Sequence, residues 1–297
     1  MVVSCRQFSA PADNPMLPGS SDSEASLSER KSVCVIDVAF VSQIQIYPIK
    51  SLDAVVLQKA RVMASGALEH DRRWAMFDAN GKFVNGKHHA TIHRLRSRFN
   101  LDNQTLVLHE GGQTSQSGPA FSLDRDRGKI EEWLGVYFGF PVKLTENDQA
   151  GFPDDTDSPG PTIISVATLK EIAQWFSLSL EETRARFRTN IEIDGVPPFW
   201  EDRLFGKADR AVRFTIGTSD FEGINPCQRC VVPTRNPLSG MADKAFVQRF
   251  MEYRRQTMPD WSERSRFDHF YRVAVNTRGY GKGGTICAGD AVRIIDP

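Results

Sequence analysis

Apolar and polar residues alternate through much of the first half of the chain. Residues 33–47, 55–62 and 74–77 carry apolar side chains at about every second position, which is the period of half-buried strands. The tetrapeptide Asp-Ala-Asn-Gly at 78–81 predicts a turn between two such strands. Leu106 to Leu108 predicts one further strand before the pattern changes.

A spacing of three or four residues, typical of an amphipathic helix, first appears at 128–138. Four residues share one face of that helix: Ile130, Trp133, Leu134 and Tyr137. Two capping patterns predict further helices, one starting at Thr168 and one at Ser179, each with Glu three residues later. Residues 242–256 predict a charged surface helix.

Short strands return towards the end of the sequence. They are predicted at 191–193 and 212–216, and residues 271–275 with 291–295 predict a terminal strand pair. The glycines between 279 and 284 precede a strand and not a helix, so we expect a loop into a hairpin and no dinucleotide site. With few helices and no alternation of strand and helix, the predicted fold class is mainly β with α (α+β), built as two β-barrel-like domains with a few packed helices.

Local composition divides the chain into three parts. Residues 1–32 are rich in Ser and Pro, and we expect a disordered tail because such a segment buries little apolar surface. Residues 147–161 are crowded with Gly, Pro, Asp and Ser, which favours a linker or mobile loop. The predicted domains are therefore 33–145 and 146–297.

Overall composition limits the function classes. The chain has 297 residues, with 37 Lys and Arg against 37 Asp and Glu, so its net charge of zero argues against nucleic acid and membrane surfaces as partners. Five cysteines, an odd number, do not make a dense disulfide framework and favour a reducing compartment. No apolar run reaches the length of a membrane span, and the first thirty residues lack a signal core, so we expect a cytoplasmic protein.

The neutral total hides two basic clusters. Residues 61–98 contain eight Lys and Arg against three Asp and Glu, and Arg184, Arg186 and Arg188 form a second cluster. Guanidinium groups hold phosphate well because they donate two parallel hydrogen bonds, so these clusters predict an anion site. The nearby histidines 88, 89 and 93 have no acidic partner at metal-binding spacing, and we expect them at the surface.

The sequence Cys227-Gln228-Arg229-Cys230 has the side chains best suited to reactive or metal-binding chemistry. A zinc site lacks a second cysteine pair, and a thioredoxin-like site lacks a helix, since the following Val-Val-Pro suits an extended segment. A third interpretation is that both cysteines are simply small, partly buried residues of the fold. A guanidinium beside Cys230 favours its thiolate, and one thiolate is enough to ligate a metal that a cofactor carries.

An ordered set of short motifs resembles one protein family. The motifs are residues 47–51 (Tyr-Pro-Ile-Lys-Ser), 66–74 (Gly-Ala-Leu-Glu-His-Asp-Arg-Arg-Trp), 187–191 (Phe-Arg-Thr-Asn-Ile), 225–230 (Asn-Pro-Cys-Gln-Arg-Cys), 284–286 (Gly-Thr-Ile) and 289–290 (Gly-Asp). They occur in the order found in the MOSC superfamily, and the chain looks like proteins that join a MOSC N-terminal β-barrel domain to a MOSC domain. The mitochondrial amidoxime-reducing component and its bacterial relatives are of this kind.

The resemblance implies a molybdenum-pyranopterin cofactor with Cys230 as the thiolate ligand of the metal. Arg229 is expected beside the metal or the pterin. The implied cofactor-binding residues are Lys50, Ser51, Arg72, Ser158, Arg188 and Asn190. Gln228 departs from the family, whose members often have a small hydroxyl residue there. Family-level descriptions also mention pyridoxal phosphate binding, which no motif quoted above supports.

The implied activity is reduction of N-hydroxylated small molecules: hydroxylamines, amidoximes and N-hydroxylated bases. The isolated cysteines offer no iron–sulfur motif, so electrons are expected from a separate flavin or iron–sulfur reductase. An alternative is a carrier that holds sulfur as a Cys230 persulfide, or passes on the cofactor. A third, distant alternative is a non-catalytic β-barrel binding module with a zinc or structural cysteine pair.

Overall fold

The computed structural model describes residues 38–111, 118–281 and 283–295, so the predicted tail at 1–32 lies outside the described residues. The described chain is mainly β with four α-helices, which confirms the predicted fold class. The strands are β1 Phe40–Ile46, β2 Val55–Leu57, β3 Lys59–Val62, β4 Trp74–Phe77, β5 Leu95–Asn100, β6 Thr105–Glu110, β7 Ala120–Ser122, β8 Lys143–Glu146, β9 Ile163–Ser165, β10 Ile191–Asp194, β11 Val212–Ile216, β12 Ser219–Gln228, β13 Arg272–Gly279, β14 Gly284–Cys287 and β15 Val292–Ile294. The helices are α1 Arg127–Phe138, α2 Val166–Phe176, α3 Leu180–Phe187 and α4 Phe246–Gln256.

The largest sheet has eight strands in the order β15-β11-β12-β13-β9-β10-β1-β2. Its seventh strand, β1, is also hydrogen-bonded to the C-terminal segment. The Val41 amide donates to the Asp290 carbonyl at 2.8 Å, and the Val292 amide donates to the Ala39 carbonyl at 2.8 Å. The strand order itself is open, and these bonds make the sheet barrel-like without closing every ladder.

Strands from both predicted domains share this sheet. The first-half strand β1 pairs antiparallel with β10, where Ile44 lies opposite Ile191, and β2 extends the sheet beyond β1. The first-half strand β3 forms a separate two-stranded sheet with β14 near the C-terminus. Strands β4 to β8 form two further small sheets, β4-β8 and β5-β6-β7. Ile130 and Leu134 of α1 are buried in the hydrophobic core that those strands enclose. The boundary near residue 146 stays a prediction.

Helix α1 begins one residue before the predicted range, and α3 begins after the predicted cap, where the Ser179 hydroxyl accepts from the Glu182 amide at 3.0 Å. The predicted start of α2 is wrong by three residues. Ser165 caps that helix, because its hydroxyl accepts from the Thr168 amide at 3.0 Å, while the Thr168 hydroxyl donates to Glu201 at 3.0 Å.

Three sequence expectations for the second half are wrong in detail. Helix α4 is not simply a charged surface helix, since Phe246, Phe250 and Arg254 on it are buried. The expected terminal pair does not form, because β13 pairs with β12 and β9 while β15 pairs with β11. The glycine-rich stretch does not form a hairpin, because β14 lies against β3.

Among the described residues, no helix is long and apolar enough to cross a membrane.

Candidate functional site

One cavity of about 1070 Å³ brings together most of the residues singled out from the sequence. Seven of the eight candidates line it: Lys50, Ser51, Arg72, Ser158, Arg188, Arg229 and Cys230. Asn190 is fully buried and does not line the cavity. Its Oδ1 accepts from Arg72 Nη1 at 3.4 Å and its Nδ2 donates to the Gln45 carbonyl at 3.1 Å, so Asn190 positions Arg72 from beneath.

Lys50 and Ser51 lie on the turn that follows β1. The Lys50 amide donates to the Trp74 carbonyl at 2.8 Å, which fixes the turn against β4. The side chain is only 7% exposed, and its Nζ lies 2.8 Å from the Phe152 carbonyl and 3.0 Å from Asp154 Oδ1. Burial lowers the pKa of Lys50, and the Asp154 carboxylate partly offsets that effect.

Two guanidinium groups meet on the ring of Tyr47. The Arg188 Cζ lies 4.1 Å from the ring centroid and the Arg72 Cζ lies 5.4 Å from it. Arg72 also pairs with the neighbouring Asp71 carboxylate, and Arg188 Nη2 donates to the Leu52 carbonyl at 2.6 Å. Burial raises the pKa of Tyr47 to about 12, so its hydroxyl stays protonated and the ring is a neutral platform for the two cations.

The backbone holds three of these residues in an unfavourable conformation. Ser51, Arg72 and Arg188 have φ angles of +76°, +50° and +52°. The left-handed region costs a residue with a Cβ about 1 kcal/mol or more, and such residues persist where surrounding contacts fix them. Arg188 occupies this region because it caps the C-terminus of α3.

The cysteine motif lies at the end of β12, and its geometry differs from the sequence expectation. Arg229 Nη1 donates to Cys227 Sγ at 3.2 Å, so the guanidinium contacts the first cysteine of the pair and not Cys230. The Cys230 carbonyl accepts from the Tyr271 hydroxyl at 3.2 Å. Both cysteines are half-buried and line the cavity. A 3₁₀ helix, Val232–Thr234, follows the motif in place of the expected extended segment.

The segment expected to be a linker or mobile loop is bound to both sides of the cavity. Near its start, the Phe152 amide donates to the Arg72 carbonyl at 2.9 Å, and a Cβ on Gly151 would lie 2.7 Å from the Asp71 carbonyl. Near its end, a Cβ on Gly160 would lie 2.6 Å from the Thr277 carbonyl. Only glycine allows these close approaches, so the glycine content of the segment reflects packing.

Asp154 was not predicted as a site residue, Lys87 was counted only within the first basic cluster, and His93 was expected at the surface. Asp154, in the expected linker, accepts from Lys87 at 3.2 Å as well as from Lys50. Lys87 follows Asn85, whose Oδ1 accepts from the Lys87 amide at 2.9 Å, a turn signal that was available in the sequence. The expectation of a surface position is wrong for His93, which lines the cavity, and burial lowers its pKa to about 4.

Basic side chains outnumber acidic ones around the cavity. Nine Lys and Arg side chains line it against five Asp and Glu. The second basic cluster lies in its wall, with Arg184 and Arg186 paired to Glu192 and Glu182. The first cluster is divided: Arg72, Lys87 and Arg96 line the cavity, whereas Arg61, Arg73 and Arg94 pair with carboxylates elsewhere. In the described part of the chain, no group of three or more His, Cys, Asp or Glu side chains could hold a metal ion.

Comparison with curated proteins finds relatives of two kinds. The molybdenum cofactor sulfurase of Caenorhabditis elegans is 23% identical over 70% of this chain and 30% of its own, and that of Caenorhabditis briggsae is 28% identical over 83% and 35%. The mitochondrial amidoxime-reducing component 1 of Xenopus laevis is 28% identical over 69% of this chain and 68% of its own. The chain thus spans about a third of the length of these sulfurases.

Among solved structures, the YuaD protein of Bacillus subtilis matches with a TM-score of 0.38 and 11% identity, over 86% of this chain and 95% of that one. Two family models match the sequence directly. The MOSC N-terminal beta barrel domain covers residues 38–136, and the MOSC domain covers residues 162–293. Because the two models together account for most of the chain, the protein belongs to the MOSC family and carries both domains.

Proposed function

We propose that this protein binds a molybdenum-pyranopterin cofactor and is an oxidoreductase that reduces N-hydroxylated small molecules. Hydroxylamines, amidoximes and N-hydroxylated bases are the expected substrates, and the expected electron donor is a separate flavin or iron–sulfur reductase. The observation that carries the proposal is one cavity in which a half-buried Cys230 lies together with the basic side chains Lys50, Arg72 and Arg188. The amidoxime-reducing relative supports the reaction class.

The donor set fits such a cofactor, which has a phosphate, a hydrogen-bonding pterin and a metal that accepts a thiolate. Lys50, Ser51 and Arg72 would hold the phosphate and pterin, and Arg188 would close over them from the second half of the chain. Two buried polar atoms in the cavity wall, Ser158 Oγ and Arg229 Nε, have no hydrogen-bond partner within the described ranges. Buried polar groups are normally satisfied, so these atoms suit a polar ligand.

Each protein group then has a distinct task. When bound, the cofactor supplies two-electron redox chemistry at molybdenum. Cys230 offers the sulfur ligand, and Arg229 fixes the neighbouring Cys227 by its 3.2 Å hydrogen bond. Asn190 acts as a positioning residue through Arg72. The cysteine content also supports a reducing compartment, and we propose the cytoplasm.

A carrier function is the second candidate, because Cys230 could hold sulfur as a persulfide. The observation that favours it is the match to molybdenum cofactor sulfurases, one of which reaches the same 28% identity as the amidoxime-reducing relative. A half-buried cysteine in a cavity lined by basic side chains suits sulfur transfer as well as metal ligation.

The test compares three cysteine variants produced in a host that makes the cofactor. Molybdenum and pterin content are measured, and then reduction of an amidoxime by a chemically reduced dye. We expect Cys230→Ser to lose molybdenum-dependent turnover and Cys227→Ser to keep part of it. Cys287→Ser is the matched control, because Cys287 lies on β14 and does not line the cavity.

Each outcome decides between the candidates. Bound molybdenum with turnover that depends on Cys230 supports the oxidoreductase. A persulfide mass on Cys230 without molybdenum or turnover supports the carrier. Zinc without pterin fluorescence, or full turnover in Cys230→Ser, contradicts the assignment of Cys230 as the metal ligand.

A further inference from the structure

An acidic segment lies over one side of the basic cavity. Residues 152–159, which we call the acidic strap, contain Asp154, Asp155 and Asp157. The strap is fixed at both ends, at Gly151 and Gly160, where close backbone contacts exclude a side chain. Its middle is held by side-chain contacts: Asp154 pairs with two lysines, and Asp155 Oδ2 accepts from Asn276 Nδ2 at 3.3 Å. About half of the Asp154 side chain is exposed, so its carboxylate has access to solvent when it leaves the lysines.

Asp154 pairs with two lysines that line the cavity. Its Oδ1 lies 3.0 Å from Lys50 Nζ and 3.2 Å from Lys87 Nζ, so one carboxylate bridges two ammonium groups. Partial burial would raise the pKa of Asp154, but Lys50, Arg72 and Lys87 together hold it well below its usual range. Lys50 has a second bond to the strap, donating to the Phe152 carbonyl at 2.8 Å. The strap therefore satisfies the lysine that the proposed function assigns to a phosphate.

We propose that Asp154 is a built-in competitor for the anionic group of the ligand, and that its carboxylate must leave Lys50 and Lys87 when a phosphate binds, while the buried Ser158 near the anchored end of the strap stays in the cavity wall. The inference rests on the proposed function only in taking Lys50 as a phosphate-binding residue. It adds a gate: ligand entry and displacement of the middle of the strap are one coupled event.

The single charge of Asp154 also favours phosphate over monoanionic ligands. Asp154 brings one negative charge to two lysines, so a monoanion that replaces it exchanges like for like and gains little. A phosphate group carries about −1.5 to −2 charges near neutral pH and has three acceptor oxygens. Such a ligand gains more from Lys50 and Lys87 than the carboxylate does, and it displaces the strap where a monoanion does not.

The test uses the full chain purified from a host that does not make the cofactor, with inorganic pyrophosphate as the probe in titration calorimetry. Asp154→Asn removes the competing charge and should bind pyrophosphate about tenfold more tightly than the unaltered protein, which corresponds to about 1.4 kcal/mol. Asp157→Asn is the matched control, because it makes the same charge change on the same strap at an exposed residue that does not line the cavity. Its affinity should change far less.

Hydrogen exchange gives a second readout. Pyrophosphate should speed amide exchange in residues 152–159 of the unaltered protein, because the strap is displaced. Affinity in Asp154→Asn that is equal to or weaker than that of the unaltered protein, an equal gain in Asp157→Asn, or unchanged or slower exchange in the strap would overturn the proposal. These results are independent of the proposed function, whose failure would show as missing molybdenum or missing turnover in protein from a cofactor-making host.

Discussion

A buried carboxyl away from the cavity should make the stability of this protein fall as pH rises. Glu201 is fully buried, and its Oε2 accepts from the Thr168 hydroxyl at 3.0 Å. Its Oε1 has no hydrogen-bond partner in the described parts of the chain. Burial raises the pKa of Glu201 to about 7, and the adjacent Asp202 carboxylate, which pairs with the buried Arg254, adds to that rise.

The sign follows from proton linkage. The folded state keeps the Glu201 proton up to about pH 7, whereas the unfolded chain releases it near the ordinary value of 4.5. The folded state therefore binds more protons than the unfolded state between these values, and the free energy of unfolding decreases as pH rises through that window. Between pH 5 and pH 7.5 the loss from this group amounts to about 2 kcal/mol.

Glu201→Gln removes the ionisation and keeps the shape of the side chain. Urea denaturation at pH 5 and pH 7.5 should show that this variant loses about 2 kcal/mol less of its unfolding free energy than the unaltered protein does. Glu132→Gln, on the exposed face of α1, serves as the control and should keep the original pH dependence. An identical pH dependence in Glu201→Gln and in the unaltered protein would refute a raised Glu201 pKa.

Two further predictions concern the cavity and the segment that packs beside it. Gly151→Ala should lower the free energy of unfolding by more than about 1 kcal/mol in urea denaturation, because φ is +64° and the added carbon would meet backbone at 2.7 Å, whereas Gly128→Ala, with open space around it, should not be destabilising. Arg188→Lys keeps the charge but loses the planar contact with Tyr47 at 4.1 Å, and we expect less bound molybdenum by metal analysis, with exposed Arg98→Lys as the unaffected control. Equal molybdenum in Arg188→Lys and the unaltered protein would contradict that role.

Local patterns located most elements but not their partners. Alternation identified strands such as β3, in which exposed and buried residues follow each other in turn, whereas β5, β7, β8, β9 and β12 were not predicted. Helix α1 appeared through Ile130 and Leu134. Strands β13 and β15 were found as strands, yet their pairing with other strands depends on contacts far apart in sequence. The capping pattern predicted the start of α2 at Thr168, but the Thr168 hydroxyl bonds to buried Glu201 and Ser165 caps the helix. Capping rules that use only neighbouring residues do not predict that hydrogen bond.

The candidate site was predictable in part from residue type. Type and local sequence pointed to Arg188 and Cys230, the family resemblance added Lys50, and the structure gathers the three in one cavity. Asp154 was missed because its neighbours have the composition of a linker, although Gly151 is there to let the segment approach Arg72 closely. Composition cannot distinguish a glycine that gives flexibility from one that permits close packing, since both appear as the same residue.

The backbone supports the proposal of a binding site in the cavity. Of the eight non-glycine residues with positive φ in the described ranges, Ser51, Arg72 and Arg188 line the cavity and the other five lie elsewhere. Glycine at each position would relieve a backbone cost of about 1 kcal/mol or more, so stability alone does not favour these side chains. A fold that holds a hydroxyl and two guanidinium groups in the left-handed region around one basic cavity has conformations expected of a binding site, where the side chain matters more than the strain.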